Sequence, residues 1–490
     1  MKTQLPRFLA ATALAVAALL PAARAAERAL VISVDGMHAI DLALWLKNNP
    51  DSALAALAQR GVIYSNARTP LLGDSTPGLV SLATGGTPAT TGLIYSPFFD
   101  RSLTPAGAPA GTKGALYTID EKWILDLTRG DSGGGIDEKK LPRDPARGGA
   151  AVYPHDLMRV NTMFEVVRAA GGRTAWLDQH IMYNDLLNGP SGRGLDDSRA
   201  LERKGTPQTF EGFTAQDTRR VEILLNEIRG LDSSGQKRVG VPKLFGMGFI
   251  CFGAMQKSEG YPNARGGIGE KNLRAALKLV DDSLGRIVAE LKKQNLYDST
   301  LIVLSSKHGQ SPIDVKQRRL IDRNVIRDTV AGVQKDLLAH ASLDSIGLIY
   351  LKDASKTNAV ADALRARAAE AGILKVYHGE QLKLFLPSPD QDPRMPDILI
   401  QPVLGAFYGE EPDSPAGKAL LAEHGGMMDE DTNVPLLVSF SGAPGTVSRA
   451  PVFTHQIAPT ILAALGLDPA ALKAVEFEGT PVLPGVKWKK

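Results

Sequence analysis

Two short, almost continuous apolar runs constrain this chain most, because each ends in polar residues. The first covers residues 29–34 and ends at Asp35; the second covers 301–304 and leads into Lys307-His308. Runs of this kind are typical of central strands in a parallel sheet that is covered on both faces. Ligands in such sheets bind beyond the carboxyl ends of the strands. The pattern therefore predicts an α/β fold and places Asp35, Lys307 and His308 where a functional site would lie.

The segment 71–86 predicts a short helix with polar residues at its N-terminus. Pro77 is tolerated at a first helical position and the glycines at 85–86 end a helix, so we expect a helix from near Pro77 to Gly85. Backbone N–H groups at such an N-terminus favour phosphate or sulfate, which the hydroxyl of Ser75 or Thr76 could attack. An ordinary Ser/Thr cap explains the same residues. The segment alone leaves both interpretations open.

The composition is that of a globular protein. The chain has 490 residues, 43% hydrophobic and 22% charged, which suits one large α/β domain with insertions. Its formal charge of 56 − 53 = +3 is too small to indicate a nucleic-acid or membrane partner. The single cysteine, Cys251, permits no internal disulfide and lies in an apolar run, so we expect a small buried hydrophobe.

Residues 1–25 have the three parts of a secretory signal peptide. Lys2 and Arg7 form a basic start, residues 8–20 an apolar core, and 23–25 an A-x-A cleavage site. The core is too short for a permanent transmembrane helix, and no later run approaches eighteen apolar residues. We therefore expect export to a periplasm or secretion, with residues 26–490 as the mature chain.

The mature chain alternates helix and strand patterns. Helices are predicted near 40–48, 51–60, 161–170, 215–230, 270–294 and 456–465, and strands at 62–64, 174–177, 243–252 and 434–440. Residues 95–155 are rich in Gly, Pro and Asp and predict a loop-rich excursion at the edge of the sheet. Residues 311–420 alternate again, with strands near 346–351 and 397–401, and predict an inserted smaller lobe.

Four polar groups share a place at a strand end or helix start: Asp35, Ser75, Lys307-His308 and His424. A carboxylate, a hydroxyl and two imidazoles suit one hard or borderline divalent cation. Such a cation would lower the pKa of the hydroxyl and neutralise phosphoryl oxygens. Further potential ligands lie in predicted turns, where a structural role also explains them: Asp178, His180, Asp429 and Asp431.

In this order the motifs resemble those of the alkaline phosphatase superfamily, most closely its type I phosphodiesterase/nucleotide pyrophosphatase branch. That branch has a strand followed by Asp-Gly, a Thr or Ser beside a proline, a strand followed by Ser-Asp-His-Gly, and a late His-Gly. The segment 456–466 is similar to the closing helix of the superfamily. The resemblance implies an alkaline-phosphatase-like core: a mostly parallel central sheet with helices on both faces.

The resemblance also implies a chemistry. It implies an exported hydrolase of small-molecule phosphate esters that depends on a divalent metal such as zinc. Ser75 would form a covalent phospho-enzyme and would share one metal with Asp35 and His308, while His424 would belong to a second metal.

The chain departs from that family at two places. Lys307 stands where the family has an aspartate, and the Asp-x-x-x-His pair that should follow residue 252 is absent. We therefore expect one metal ion rather than two, held by Asp35, Ser75, His308 and His424, with the catalytic Lys307 supplying the charge of the second. The alternative is a degenerate member that binds an anionic ligand without hydrolysis.

Two other functional classes fit parts of the sequence. A Ser-His-Asp acyl hydrolase could use Ser75, His308 and a carboxylate, but the chain has no nucleophile elbow. An exported binding protein would need two comparable lobes joined by a hinge, for which the 311–420 insertion gives little support.

Overall fold

The computed structural model describes residues 26–109, 111–118, 135–201, 207–261, 271–312, 318–409, 421–486 and 488. The predicted signal peptide, residues 1–25, lies outside these residues, as do parts of the predicted loop-rich excursion and inserted lobe. None of the helices within the described ranges is long and apolar enough to cross a membrane.

Two larger sheets contain twelve strands: β1 Arg28–Val34, β2 Gly61–Tyr64, β3 Thr174–Asp178, β4 Asp197–Ala200, β5 Leu244–Phe249, β6 Thr300–Ser305, β7 Leu338–Leu343, β8 Gly347–Leu351, β9 Ile373–His378, β10 Ile398–Pro402, β11 Leu437–Ser439 and β12 Thr446–Ser448. Short strands form two-stranded ladders: Ala67–Arg68 with Val452–Phe453, Phe98–Asp100 with Ala115–Tyr117, Arg143–Asp144 with Ala150–Ala151, Ser311–Pro312 with Ala422–Glu423, and Arg319–Asp322 with Ala406–Gly409.

The described α-helices are α1 Ala39–Asn48, α2 Ala53–Gln59, α3 Ser75–Thr84, α4 Pro88–Thr91, α5 Met163–Ala169, α6 Ile181–Leu187, α7 Phe210–Ile228, α8 Cys251–Glu259, α9 Lys271–Lys293, α10 Asn324–Val333, α11 Thr357–Ala366, α12 Asp429–Thr432, α13 Ile457–Ala464 and α14 Lys473–Glu478.

The central sheet has eight strands in the order β12-β2-β11-β6-β1-β5-β3-β4. Its pairs are parallel except where β11 meets β6 and β2. One face packs against α3, α5 and α13 through residues such as Leu79, Phe164 and Ile461. The other packs against α7, α8 and α9 through residues such as Leu224, Phe252 and Leu277. The predicted α/β fold, with helices on both faces of a mostly parallel sheet, is confirmed.

A second, antiparallel sheet lies within the 311–420 region, in the order β7-β8-β10-β9. It has its own core with α10 and α11, which includes Val330, Ile349 and Leu364. The boundaries of the lobe stay a prediction.

Two predicted strands are shorter than expected. Cys251 and Phe252 begin α8 instead of extending β5, because the buried Asp217 carboxylate accepts hydrogen bonds from the N–H groups of Ile250 and Cys251 and so caps the helix. The predicted strand 434–440 is reduced to β11, and α12 separates it from His424. Pro435 cannot donate to a ladder, and its carbonyl accepts the Ser305 hydroxyl instead.

Candidate active site

The carboxyl ends of neighbouring strands bring the first site residues together. β1 pairs with β6 in parallel so that Ser33 lies opposite Ser305. The residues that follow, Asp35 on one strand and Lys307-His308 on the other, therefore leave the same edge of the sheet, as the apolar runs predicted.

Helix α3 carries the third residue to this edge. The helix begins at Ser75, two residues earlier than predicted, with Asp74 as its N-cap, and it ends at Gly85, whose left-handed backbone (φ 79°) closes the last turn. Gly78 faces the backbone of Lys307 so closely that an added Cβ would lie 1.9 Å from the Lys307 carbonyl oxygen. The absence of a side chain at Gly78 is what lets the helix N-terminus approach the strand end.

Ser75, His308 and Asp35 converge on one point. Ser75 Oγ lies 2.9 Å from His308 Nε2, and Asp35 Oδ1 lies 3.2 Å from the same nitrogen. His308 Nδ1 lies 2.6 Å from the Gly309 carbonyl, to which it must donate because a carbonyl only accepts. When the ring is neutral the lone pair is therefore on Nε2 and the Ser75 hydroxyl donates to it; when the ring is protonated, Nε2 carries a proton that faces Asp35.

The same geometry separates this site from a Ser-His-Asp acyl hydrolase. In that arrangement the carboxylate binds the ring nitrogen opposite the one that contacts serine. Here Asp35 and Ser75 face the same nitrogen, and a backbone carbonyl occupies the other. The structure therefore does not support the acyl hydrolase interpretation.

Lys307 is a buried cation beside this point. Its Nζ lies 3.5 Å from Asp35 Oδ1 and 4.5 Å from the ring centroid of Tyr183. Burial opposes its charge, but the Asp35 carboxylate outweighs burial and raises the pKa of Lys307 above its usual range. Burial would likewise raise the pKa of Asp35, but Lys307 and His308 outweigh it and hold the pKa of that carboxyl well below its usual range. The two groups form a charged pair at neutral pH.

His424 completes the cluster from the opposite side. Its ring stacks on that of His308, with 3.8 Å between centroids, and its Nδ1 lies 3.3 Å from Asp74 Oδ1. Burial, together with neighbouring His308 and Lys257, lowers the pKa of His424 to about 4, so the ring is neutral at neutral pH. Behind it, Glu423 Oε1 accepts a hydrogen bond from Lys257 Nζ at 2.5 Å.

The structure thus brings together all five residues singled out from the sequence: Asp35, Ser75, Lys307, His308 and His424. The other ligand candidates have different partners. Asp178 accepts from Trp176 Nε1 and from the Gln179 N–H, Asp429 pairs with Arg68, and Asp431 accepts from the Ser311 hydroxyl. The ring of His180 packs edge-on against Tyr183.

Four residues at the site were missed in the sequence: Asp74, Tyr183, Lys257 and Glu423. Asp74 and Glu423 each directly precede a predicted site residue, and that adjacency was an available signal. Tyr183 and Lys257 reach the site from α6 and α8, and no spacing rule connects them to Ser75.

Few side chains at this site could bind a metal ion. Within the described ranges, no group of three or more His, Cys, Asp or Glu side chains has a geometry that could hold one. Asp35 and His308 supply two such side chains, and the Ser75 hydroxyl adds an oxygen beside them. Asp35 Oδ1 is buried and has no aligned hydrogen-bond donor.

Comparisons with known proteins agree with the fold. A family model described as type I phosphodiesterase/nucleotide pyrophosphatase matches residues 29–427. Murine ectonucleotide pyrophosphatase/phosphodiesterase 5 superposes with a TM-score of 0.60 at 15% identity, over 90% of this chain and 96% of that chain, and an inactive variant of it in complex with AMP matches equally. The human protein gives 0.58 at 15% identity, over 90% and 95%. A search of curated proteins finds no match.

Proposed function

Because the chain belongs to the type I phosphodiesterase/nucleotide pyrophosphatase family of phosphoric ester hydrolases, we propose that it cleaves small-molecule phosphodiesters with Ser75 as the nucleophile, Lys307 as a charged catalytic group and one divalent metal ion. The observation that carries the proposal is the convergence of Ser75 Oγ, His308 Nε2 and Asp35 Oδ1 at 2.9 and 3.2 Å.

The donor atoms of these three residues fit a single metal ion. A lone pair on His308 Nε2 and a carboxylate oxygen repel each other at 3.2 Å unless a proton or a cation lies between them. Asp35 Oδ1 is buried without an aligned hydrogen-bond donor, so a lone pair is available for a metal. Nitrogen with two oxygens suits zinc. We propose that Asp35, Ser75 and His308 would hold the ion; His424, whose two ring nitrogens face Asp74 and Glu423, would have to turn its ring to join them.

The residues do not fit a second ion of the family type. The helix that follows β5, α8, presents Gly253, Gln256 and Lys257 toward the site side, and Lys257 is already paired with Glu423. None of these three residues is the aspartate or the histidine that the family pattern has after this strand. Two ammonium groups, those of Lys307 and Lys257, lie in the electrostatic environment of Asp35 instead.

The reaction then follows from the placement of the chain's own groups. Ser75 Oγ loses its proton to solvent and forms a bond to phosphorus while the bond from phosphorus to the leaving alkoxide breaks. Water then cleaves the bond from phosphorus to Ser75 Oγ, which releases a phosphomonoester and restores the serine hydroxyl. The Lys307 ammonium stabilises the negative charge that gathers on the phosphoryl oxygens. A bound divalent ion would supply a lowered pKa for the serine hydroxyl and further charge neutralisation.

The test is turnover of bis-p-nitrophenyl phosphate by the purified protein with and without zinc. Ser75→Ala and Asp35→Ala should each lose at least about a hundredfold in kcat/KM. Ser81→Ala is the matched control, because Ser81 is a buried serine on the same helix that lies outside the cluster. A Ser75→Ala protein as active as the wild type would refute the nucleophile assignment.

A second candidate is the degenerate member that binds an anion without hydrolysis. The observation that favours it is Lys307, an ammonium 3.5 Å from the carboxylate that should bind metal. Phosphate binding without diester turnover, unchanged by added zinc, would support this candidate over the first.

We further propose that the protein is exported, to a periplasm or beyond the cell. The support is the signal-peptide pattern of residues 1–25. Mass spectrometry of the protein from the extracellular or periplasmic fraction should find an N-terminus near Ala26; a chain retaining residues 1–25 would contradict it.

A further inference from the structure

Tyr183 lies under the Lys307 ammonium. The tyrosine is on α6, is 1% exposed, and presents its ring face to Nζ at 4.5 Å from the centroid. Lys307 is 4% exposed. An ammonium over a desolvated aromatic face is attracted by the negative potential of the ring. The contact is therefore stronger than the same pair would make at the surface.

The other contacts of Lys307 do not fix its position. Asp35 Oδ1 is 3.5 Å from Nζ, which is a long ion pair, and the lysine stem has four flexible carbons. The Asp178 carboxylate also attracts the ammonium, but neither carboxylate holds Nζ in a short ion pair. The Tyr183 ring blocks movement of the ammonium on one side, so Nζ can reach only positions away from the ring.

Tyr183 is itself held rigidly. It belongs to the core cluster that contains Leu79 and Leu82 of α3, and the ring of His180 packs against it edge-on at 4.9 Å. Burial raises the pKa of Tyr183, so the phenol stays neutral. One side chain therefore contacts both the helix that carries Ser75 and the cation beside it.

We propose that Tyr183 is a positioning residue whose ring face holds the Lys307 ammonium beside Ser75, where it binds the anionic oxygens of a phosphoryl group. The inference rests on the proposed function only for the identity of that anion. The ring, rather than the phenolic hydroxyl, is the part that acts on Lys307.

The experiment is a double-mutant cycle on binding of inorganic phosphate, measured by calorimetry with the full chain. Tyr183→Leu and Lys307→Met should each weaken phosphate binding roughly tenfold, and the double variant no further, because both remove the same interaction. Tyr183→Phe should bind within about twofold of the wild type. Tyr350→Leu is the matched control: a buried tyrosine under Arg101, in a different core cluster from Tyr183, whose loss should leave phosphate binding unchanged.

A second series keeps the inference testable if Tyr183→Leu does not fold. Replacing Tyr183 by phenylalanines with one, two and three ring fluorines weakens the ring potential at nearly constant shape. Acetylation of Lys307, followed by mass spectrometry without any ligand, should become faster with each fluorine. Equal acetylation rates across the series, or additive effects in the cycle, would overturn the inference. Absence of both phosphate binding and turnover in the wild type would instead overturn the proposed function.

Discussion

Gly78 offers the sharpest test of how the fold assembles this site. In an ordinary helix, Gly→Ala stabilises by up to about 1 kcal/mol, because alanine has the higher helix propensity. At Gly78 the new Cβ would lie 1.9 Å from the Lys307 carbonyl oxygen, whereas ordinary contacts begin at 3.4 Å. Helix α3 or the residues after β6 must therefore move by about 1.5 Å, the difference between these two distances.

The expected cost follows from that displacement. Overpacking costs about 1–3 kcal/mol, so Gly78→Ala should destabilise the protein by about 0–2 kcal/mol after the gain in helix propensity. Activity should fall more steeply, because a shift of about 1 Å in reacting groups can cost about a hundredfold. The loss should appear in kcat, since the shift separates Ser75 from Lys307.

Gly285 is the matched control. It lies in the interior of α9, and a Cβ added there would meet only the Ala53 Cβ at 3.7 Å. Gly285→Ala should therefore stabilise by a few tenths to about 1 kcal/mol and leave turnover unchanged. The measurements are the free energy of unfolding in urea and the kcat for diester turnover, each compared between the two variants. A Gly78→Ala protein that behaves like Gly285→Ala would refute the role of close helix–strand approach in building the site.

Two further predictions concern buried charges. Asp217→Asn leaves the fully buried Arg220 without its carboxylate and should lower the free energy of unfolding by about 3–5 kcal/mol in urea. Glu222, on the same helix, pairs with Arg286 of α9 at the surface, so Glu222→Gln should lower it by less than about 1 kcal/mol. Equal costs would contradict this. Burial, aided by Arg327, lowers the pKa of His340 to about 4. Below pH 6.5 the unfolded chain therefore binds a proton at His340 that the folded chain does not. The contribution of His340 to stability should fall from pH 6.5 to about 4 by at most about 3–4 kcal/mol. His340→Phe should reduce the total fall by that share, and the share of His424, whose pKa is lowered alike, should remain. Unfolding curves that fall equally in both proteins would refute it.

The sequence predicted the parts of this protein that depend on short-range patterns. The apolar runs before Asp35 and Lys307-His308 identified two central parallel strands, which the structure shows to be neighbours, and the glycine at 85 identified the end of α3. The sequence did not predict the side chains that neighbouring helices bring to the site. Tyr183 arrives because α6 packs against α3, and the packing angle of two helices is a tertiary property that no local spacing encodes.

The predicted end of the strand at 243–252 was wrong for a related reason. The apolar run at 243–252 continues past the end of β5, so its pattern alone predicts a longer strand. Asp217, more than thirty residues earlier in the chain, caps the N–H groups of Ile250 and Cys251 and converts the end of the run into a helix. Because the capping residue lies on another helix, the sequence of the capped segment does not reveal it.

Lys307 is predicted to limit how strongly the proposed site binds metal. A unit charge about 4 Å from another, at an effective dielectric of about 20, contributes about 4 kcal/mol, so a protonated lysine that shares Asp35 with a divalent ion opposes its binding. Lys307→Asp would replace this repulsion by a carboxylate ligand. Zinc affinity, measured by competition with a chromogenic chelator, should therefore rise at least about tenfold. The exposed Lys278, which pairs with Asp282, provides the control in Lys278→Asp, which should leave zinc affinity unchanged. A Lys307→Asp protein that folds as the wild type does and binds zinc no more tightly would show that Lys307 does not act on the metal position.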